Sequence, residues 1–364
     1  MNEFPKRIYS LDILRGLAAI SVVFWHWQHF FYDGGKLGTF VRENQPFYET
    51  FSILYQRGNL AVELFFSISG FVFFWLFSEK VANGEMKAKR FIMDRFSRLY
   101  PLHIATFLLV ILLQAIYTRS HETFFVYQIN DAFHAVLNIL LIPAWGLEKG
   151  WSFNAPIWSV SIEVMLYAAF FVICLTGRIR YALTLAAIIA GYFIYQSNYK
   201  IGTGVFTFFC GGTAYLICSI LLNRIGHALT TAIAAAIAIA AWGALMRLPD
   251  LSMFLLTGIA YPSSLAVLAL LDRHFQPIAS KLSFVGDISY SSYLIHFSLQ
   301  IVFAMVVDRL GGSRDVFYNP WVMVAFLVIL IPICLASHKL FEMPMQKAIR
   351  NYCLSDRNGR ASRA

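Results

Sequence analysis

The sequence predicts an all-α, polytopic membrane helix bundle of about ten transmembrane helices with both termini in the cytoplasm. Three observations predict it. Of 364 residues, 59% are hydrophobic and 13% charged, where soluble domains carry about 25% charged residues, and the mean hydropathy is +0.62. Several apolar runs approach or exceed the roughly 18 residues that a helix needs to cross hydrocarbon. The net charge is +9, and the basic residues fall mainly in loops between apolar runs. Positive-inside topology accounts for that placement without a nucleic-acid partner.

Taken in order, the spans are predicted over 11–31, 59–78, 100–118, 156–175, 181–196, 203–222, 228–246, 252–271, 285–307 and 320–340. The segment 132–145 is apolar but short and contains His134 and Asn138, so it is expected to be interfacial or re-entrant. Charge supports leaving it out of the count. With ten spans, one side holds 20 of the 29 Lys and Arg, the bias expected of the cytoplasmic face. An eleventh span would send Arg178, Arg180 and the basic C-terminal tail outside. No linker, composition shift or internal repeat divides the chain. One membrane domain over 1–350 is expected, then a short cytoplasmic tail over 351–364, with 355–360 disordered. The first apolar run is too long for a cleavable signal and lacks a small-residue cleavage motif, so it is expected to act as an uncleaved signal. The five cysteines (Cys174, Cys210, Cys218, Cys334, Cys353) form no C-x-x-C pair, and neither a disulfide nor a metal site is expected.

Several ionisable or polar residues interrupt these apolar runs. Ionisable groups in hydrocarbon are costly and commonly mark function. The first span carries Asp12, Arg15 and His26. Arg15 and His26 are eleven positions apart, about 16 Å along a helix, and lie near one face. Arg15 sits at the membrane edge and His26 in the outer half. The fourth span enters from outside as Ala155-Pro156-Ile157-Trp158-Ser159-Val160-Ser161-Ile162-Glu163. That order puts Glu163 about 10 Å below the outer surface, near the depth of His26, with Ser159 one turn away on the same face. His and Glu at one depth suit a general base and a carboxylate that orients it or supplies charge. A helix-bridging hydrogen bond is the other reading of Glu163. In the second span Glu63 falls near the outer interface, where a solvated place is expected. Ser67, Ser69 and Gly70 suit close helix packing there, and Ser69 is also a site candidate. The ninth span places His296 near the midplane after Ser289-Tyr290-Ser291-Ser292-Tyr293, as a second site histidine or one satisfied by hydroxyls. Arg95 and Arg98, at i,i+3 at the cytoplasmic mouth of the third span, could with Arg15 clamp phosphates. Positive-inside charge explains either of them alone.

Six segments in order resemble the acyltransferase-3 family of integral membrane O-acyltransferases. They are Arg15 with His26 at that spacing; Phe65-Phe66-Ser67-Ile68-Ser69-Gly70-Phe71; Arg95-Phe96-Ser97-Arg98-Leu99-Tyr100-Pro101; Trp158-Ser159-Val160-Ser161-Ile162-Glu163; Ser289-Tyr290-Ser291-Ser292-Tyr293-Leu294-Ile295-His296; and Phe341-Glu342-Met343-Pro344. The likeness runs from about residue 8 to 346. It implies transfer of an acyl group, usually acetyl, from cytoplasmic acetyl-CoA to a hydroxyl of an extracytoplasmic glycan or lipid-linked sugar, in the bacterial inner membrane. It also implies that His26 is catalytic and that Arg15, Arg95 and Arg98 handle the donor. Two other classes compete. A proton-coupled transporter also fits buried polar residues, but lacks the expected repeat. A non-catalytic scaffold leaves His26 and Glu163 unexplained. The outer loop 32–58 is rich in aromatic residues, which suits an interfacial belt or stacking on sugar rings.

Overall fold

A computed structural model describes residues 4–5, 7–248, 250 and 252–354. The protein is all-α and polytopic. Its helices in order are α1 (Tyr9–His26), α2 (Tyr48–Arg57), α3 (Ala61–Ala82), α4 (Ala88–Tyr117), α5 (Ala132–Ile139), α6 (Trp158–Leu175), α7 (Arg180–Tyr195) and α8 (Tyr199–Arg247). They continue with α9 (Met253–Leu255), α10 (Tyr261–Leu282), α11 (Phe284–Asp287), α12 (Ser289–Arg309), α13 (Pro320–Ala336) and α14 (Met343–Leu354). One hairpin pairs Tyr32–Asp33 with Lys36–Leu37. Among the described residues, eight helical stretches are long and apolar enough to cross a membrane. Tyr199–Arg247 is one of them, at 49 residues. A straight helix of that length would run about 73 Å, more than twice the hydrocarbon thickness. It does not run straight: Gly226 breaks it at φ +77°, a conformation open chiefly to glycine. The break falls where the sequence separates the runs 203–222 and 228–246. α5 has only 8 residues, too short to cross, as expected for 132–145. The tail predicted to be disordered, 355–360, lies outside the described residues.

The described residues form two compact units, and the chain passes between them more than once. Unit 1 comprises the N-terminal stretch ending at Ala18, Leu60–Lys87 and Ile162–Asp287. Here α3 and α8 cross closely. A Cβ on Gly70 would lie 1.8 Å from the carbonyl oxygen of Phe208, and one on Gly211 would lie 2.1 Å from that of Ser67. Membrane helices lack a strong hydrophobic drive to associate and gain from such backbone approach. The N-terminus of α1 is capped from elsewhere in the unit. The Asp272 carboxylate accepts from the Ser10 amide at 2.7 Å, and the Ser10 hydroxyl donates to the Leu268 carbonyl. Arg7 joins Asp12 at 2.6 Å to Asp287 at 2.7 Å.

Glu63 corrects a sequence expectation. It is not solvated: it is 1% exposed, and its carboxylate accepts from the Tyr199 hydroxyl at 2.6 Å. The physical reason is tertiary, since the first turn of α8 brings Tyr199 onto it.

Unit 2 comprises Ala19–Asn59, Ala88–Ser161 and the stretch from Ile288. Aromatic packing dominates its interior. Phe30 stacks on Phe317 at 3.7 Å, and the Trp27 indole donates to the Phe317 carbonyl at 2.8 Å. α5 begins at an Asp131 N-cap that accepts from the His134 amide at 2.8 Å. That bond, and a second from the His134 ring, hold the Asp131 carboxyl below its ordinary range. Near its C-terminal end the chain winds as a π-helix over Ser337–Glu342. Glu342 there accepts from the hydroxyls of Ser291 and Ser337.

The α3–α8 crossing yields a paired test. Gly70→Ala should lower thermal stability of the detergent-solubilised protein by at least about 1–3 kcal/mol, the usual cost of overpacking. Gly243, helical and with nothing within 4 Å of where a Cβ would stand, is the control. Gly243→Ala should be neutral or stabilising by up to about 1 kcal/mol. Equal melting temperatures for the two variants would contradict the close crossing.

Candidate active site

The chemistry-bearing residues of unit 2 gather around the end of α1. His26 is its last residue and is half-buried. The chain then tightens into a 3-10 turn over Trp27–Phe31, where positions i and i+3 eclipse. This brings the His29 ring onto that of His26, with centroids 4.6 Å apart and planes 23° apart. α12 supplies His296 and, one turn later on the same face, Gln300; both are fully buried. His296 Nε2 lies 2.9 Å from His26 Nδ1, and the two rings meet edge to edge, 8° from parallel with centroids 5.0 Å apart. His296 Nδ1 lies 3.0 Å from the Ser292 carbonyl oxygen. Gln300 donates to the His26 carbonyl at 2.8 Å, while its Oε1 sits 3.0 Å from His29 Nδ1. The Tyr127 hydroxyl, from the segment before α5, is 3.3 Å from His29 Nε2.

The neighbouring turn of α12 is tied to the chain entering α6. Tyr293 donates to the Pro156 carbonyl at 2.7 Å, and Ser159 Oγ lies 2.8 Å from the Tyr293 hydroxyl. The Tyr293 and His296 ring centroids are 6.3 Å apart. Asn154, also fully buried, donates to the Leu294 carbonyl at 3.0 Å. Ser159 is therefore placed beside the histidine cluster through Tyr293.

In unit 1, Glu163 is half-buried on α6. Its Oε1 accepts from Ser69 at 2.6 Å and from the Tyr167 hydroxyl. Ser69 is thus a hydrogen-bond donor as well as a small packing residue. Of the predicted arginines, Arg15 belongs to unit 1, with its guanidinium 3.7 Å from Asp12. Arg95 and Arg98 belong to α4 of unit 2, Arg98 exposed and Arg95 half-buried. Beside them Arg350 of α14 pairs with Asp94 at 2.8 Å.

Sequence reasoning singled out His26, His296, Glu163, Ser159 and Ser69 as candidates; it did not single out His29, Gln300 and Tyr127, which the structure places in one hydrogen-bonded cluster with His26 and His296. The signals for two of them were present: His29 stands three residues after His26 and Gln300 four after His296. The i,i+3 spacing puts His29 on the face of His26 in either kind of helix; the 3-10 turn brings the two rings into direct contact. Tyr127 had no local signal.

Among the described residues no group of three or more His, Cys, Asp or Glu is arranged to hold a metal ion. Unit 1 also has an apolar groove of about 260 Å³ between parts of α7, α8 and α10. Its Thr213, Thr230 and Ser263 hydroxyls donate to backbone carbonyls one turn back. It therefore presents mostly hydrocarbon, and the polar chemistry sits elsewhere.

The profile of a family described as an acyltransferase domain matches residues 8–339. Acyltransferase MdmB of Streptomyces mycarofaciens is 31% identical over 173 residues, 46% of this chain and 40% of that protein's length. Protein 2 in the picA locus of Rhizobium radiobacter is 29% identical over 180 residues, 46% of this chain and 82% of that protein. The chain thus aligns with less than half of the Streptomyces protein. No solved structure matches. A family match running across almost the whole chain, on an all-helical multi-pass membrane fold, settles membership: the chain belongs to the acyltransferase-3 family.

Proposed function

We propose that this membrane acyltransferase is an O-acetyltransferase of the bacterial inner membrane. It takes the acyl group from cytoplasmic acetyl-CoA and passes it to a hydroxyl of an extracytoplasmic glycan or lipid-linked sugar. One observation carries the reading. The histidine at the end of α1 is half-buried and hydrogen-bonded to a second, fully buried histidine, in a chain whose family transfers acyl groups. A neutral imidazole that is held in place yet reachable suits a general base.

In the proposed reaction His26 accepts the proton of the acceptor hydroxyl as the oxygen attacks the thioester carbonyl. The carbon–sulfur bond then breaks, and the leaving CoA thiolate takes the proton from the His26 imidazolium. A two-step route through an acyl-His26 intermediate balances equally. Glu163 supplies negative charge on the acceptor side. Ser159 supports the site through its hydroxyl contact with Tyr293. Arg15, Arg95 and Arg98 bind the phosphates of the donor, a polyanion that guanidinium groups suit. Ten spans, both termini inside, and a membrane domain over 1–350 with a short tail complete the arrangement.

Three experiments test this. His26→Ala should reduce acyl transfer on the order of 10²–10⁴-fold in protein that still inserts and elutes as the wild type. Normal transfer by such protein would end the general-base assignment. Arg95→Ala and Arg98→Ala should each raise the apparent KM for acetyl-CoA by about one to two decades, the value of roughly 1.5–3 kcal/mol for a charge-assisted hydrogen bond. The acceptor KM should hardly move. If donors with and without the 3′-phosphate respond identically and donor binding is unchanged, the two arginines serve only topology. For sidedness, a single cysteine from Ser355→Cys should react with an impermeant thiol reagent only in inverted vesicles, and one from Asn44→Cys only in spheroplasts. Labelling of the Ser355 position from outside would refute the ten-span topology.

A further inference from the structure

The hydrogen bonds around His26 determine where its protons sit, if the acceptors are followed inward from a fixed end. The fixed end is the carbonyl oxygen of Ser292, which can only accept. His296 Nδ1 lies 3.0 Å from it, so that nitrogen carries a hydrogen. A second proton on His296 would place a cation in a fully buried site, edge to edge with another imidazole. No carboxylate is hydrogen-bonded to it among the described residues. Such a buried, unpaired charge is strongly disfavoured. His296 is therefore neutral, and its Nε2 offers a lone pair. The atom 2.9 Å from that lone pair is His26 Nδ1, which must donate. In neutral His26 the lone pair then belongs to Nε2.

His29 is fixed independently by the same kind of chain. Gln300 spends its amide N–H on the His26 carbonyl. The oxygen facing His29 Nδ1 is then an acceptor, and His29 also carries its hydrogen on Nδ1. Its Nε2 accepts from the Tyr127 hydroxyl. Two imidazoles stacked at the end of α1 thus share one tautomer, each fixed through α12.

We infer that His296 is a positioning residue for acyl transfer: it holds His26 in the Nδ1–H tautomer, so that Nε2 is the atom that receives the acceptor proton. This rests on His26 as the base of the reaction proposed above. It assigns the task of orienting His26 to a histidine, with no carboxylate bonded to His26 Nδ1. When Nε2 takes the proton, the Nδ1–H bond to His296 remains and steadies the imidazolium. The proton then leaves with the CoA sulfur, and His296 finishes in its original state.

The test reads the tautomer directly. Solid-state 15N NMR of histidine-labelled protein in lipid bilayers, with His26 identified by its loss in His26→Asn, should show His26 protonated at Nδ1 and bare at Nε2. The reverse pattern in the wild type overturns the inference whatever the variants do. In His296→Leu, His26 should populate the Nε2–H form. Turnover measured as CoA release in native membranes should fall on the order of 10²–10⁴-fold, with the KM for acetyl-CoA unchanged. His296→Gln, which keeps an acceptor oxygen, should recover most of the loss. Wild-type turnover in His296→Leu, or loss in both variants with the His26 tautomer unmoved, overturns the inference. Full activity in His26→Ala would instead overturn the base assignment beneath it, leaving the tautomer measurement valid.

Discussion

A hydrogen bond between two imidazoles 270 residues apart in sequence organises the polar chemistry of unit 2. An imidazole removed from water has to find partners within the protein, because hydrocarbon supplies none. His26 finds His296, and His296 finds the backbone of its own helix. Gln300, one turn on, ties the backbone of His26 to the ring of His29. α12 therefore works as a template. A single face of one helix holds both imidazoles at the end of α1, and its backbone carbonyl terminates the chain of donors.

The same constraint explains the other buried polar groups. Glu163 is met by two hydroxyls, Glu63 by a tyrosine and Glu342 by two serines. Hydroxyls are economical partners for a carboxylate in hydrocarbon: they donate strongly without bringing a second charge that would itself need compensation. Where no partner group is placed nearby, as along the apolar groove of unit 1, each serine and threonine bonds to its own helix one turn back.

Backbone proximity is the other structural theme. The α3–α8 crossing works because Gly70 and Gly211 have no Cβ to obstruct it. Ser69, beside Gly70, is thereby carried to Glu163. Close packing and a polar contact in this segment are therefore one arrangement.

Much of this was legible in the sequence because it depends on local pattern. Apolar run length determined the helices and the membrane class. The polar interruption around Arg224 marked the break in α8, and the brevity of 132–145 kept it from being a span. His26, Glu163 and His296 stood out because charge-capable residues are rare in such apolar runs. Partnerships were not legible, since a hydrogen bond between helices depends on their rotation and depth, which no local spacing encodes. So the burial of Glu63 under Tyr199, the cap that Asp272 gives α1, and the contribution of Tyr127 appear only in the tertiary structure. The sequence by itself determined that ionisable residues such as His26, Glu163 and His296 interrupt apolar helical runs. Only the fold decided that His26 is oriented by His296, because that choice follows from which lone pair α12 presents to the end of α1.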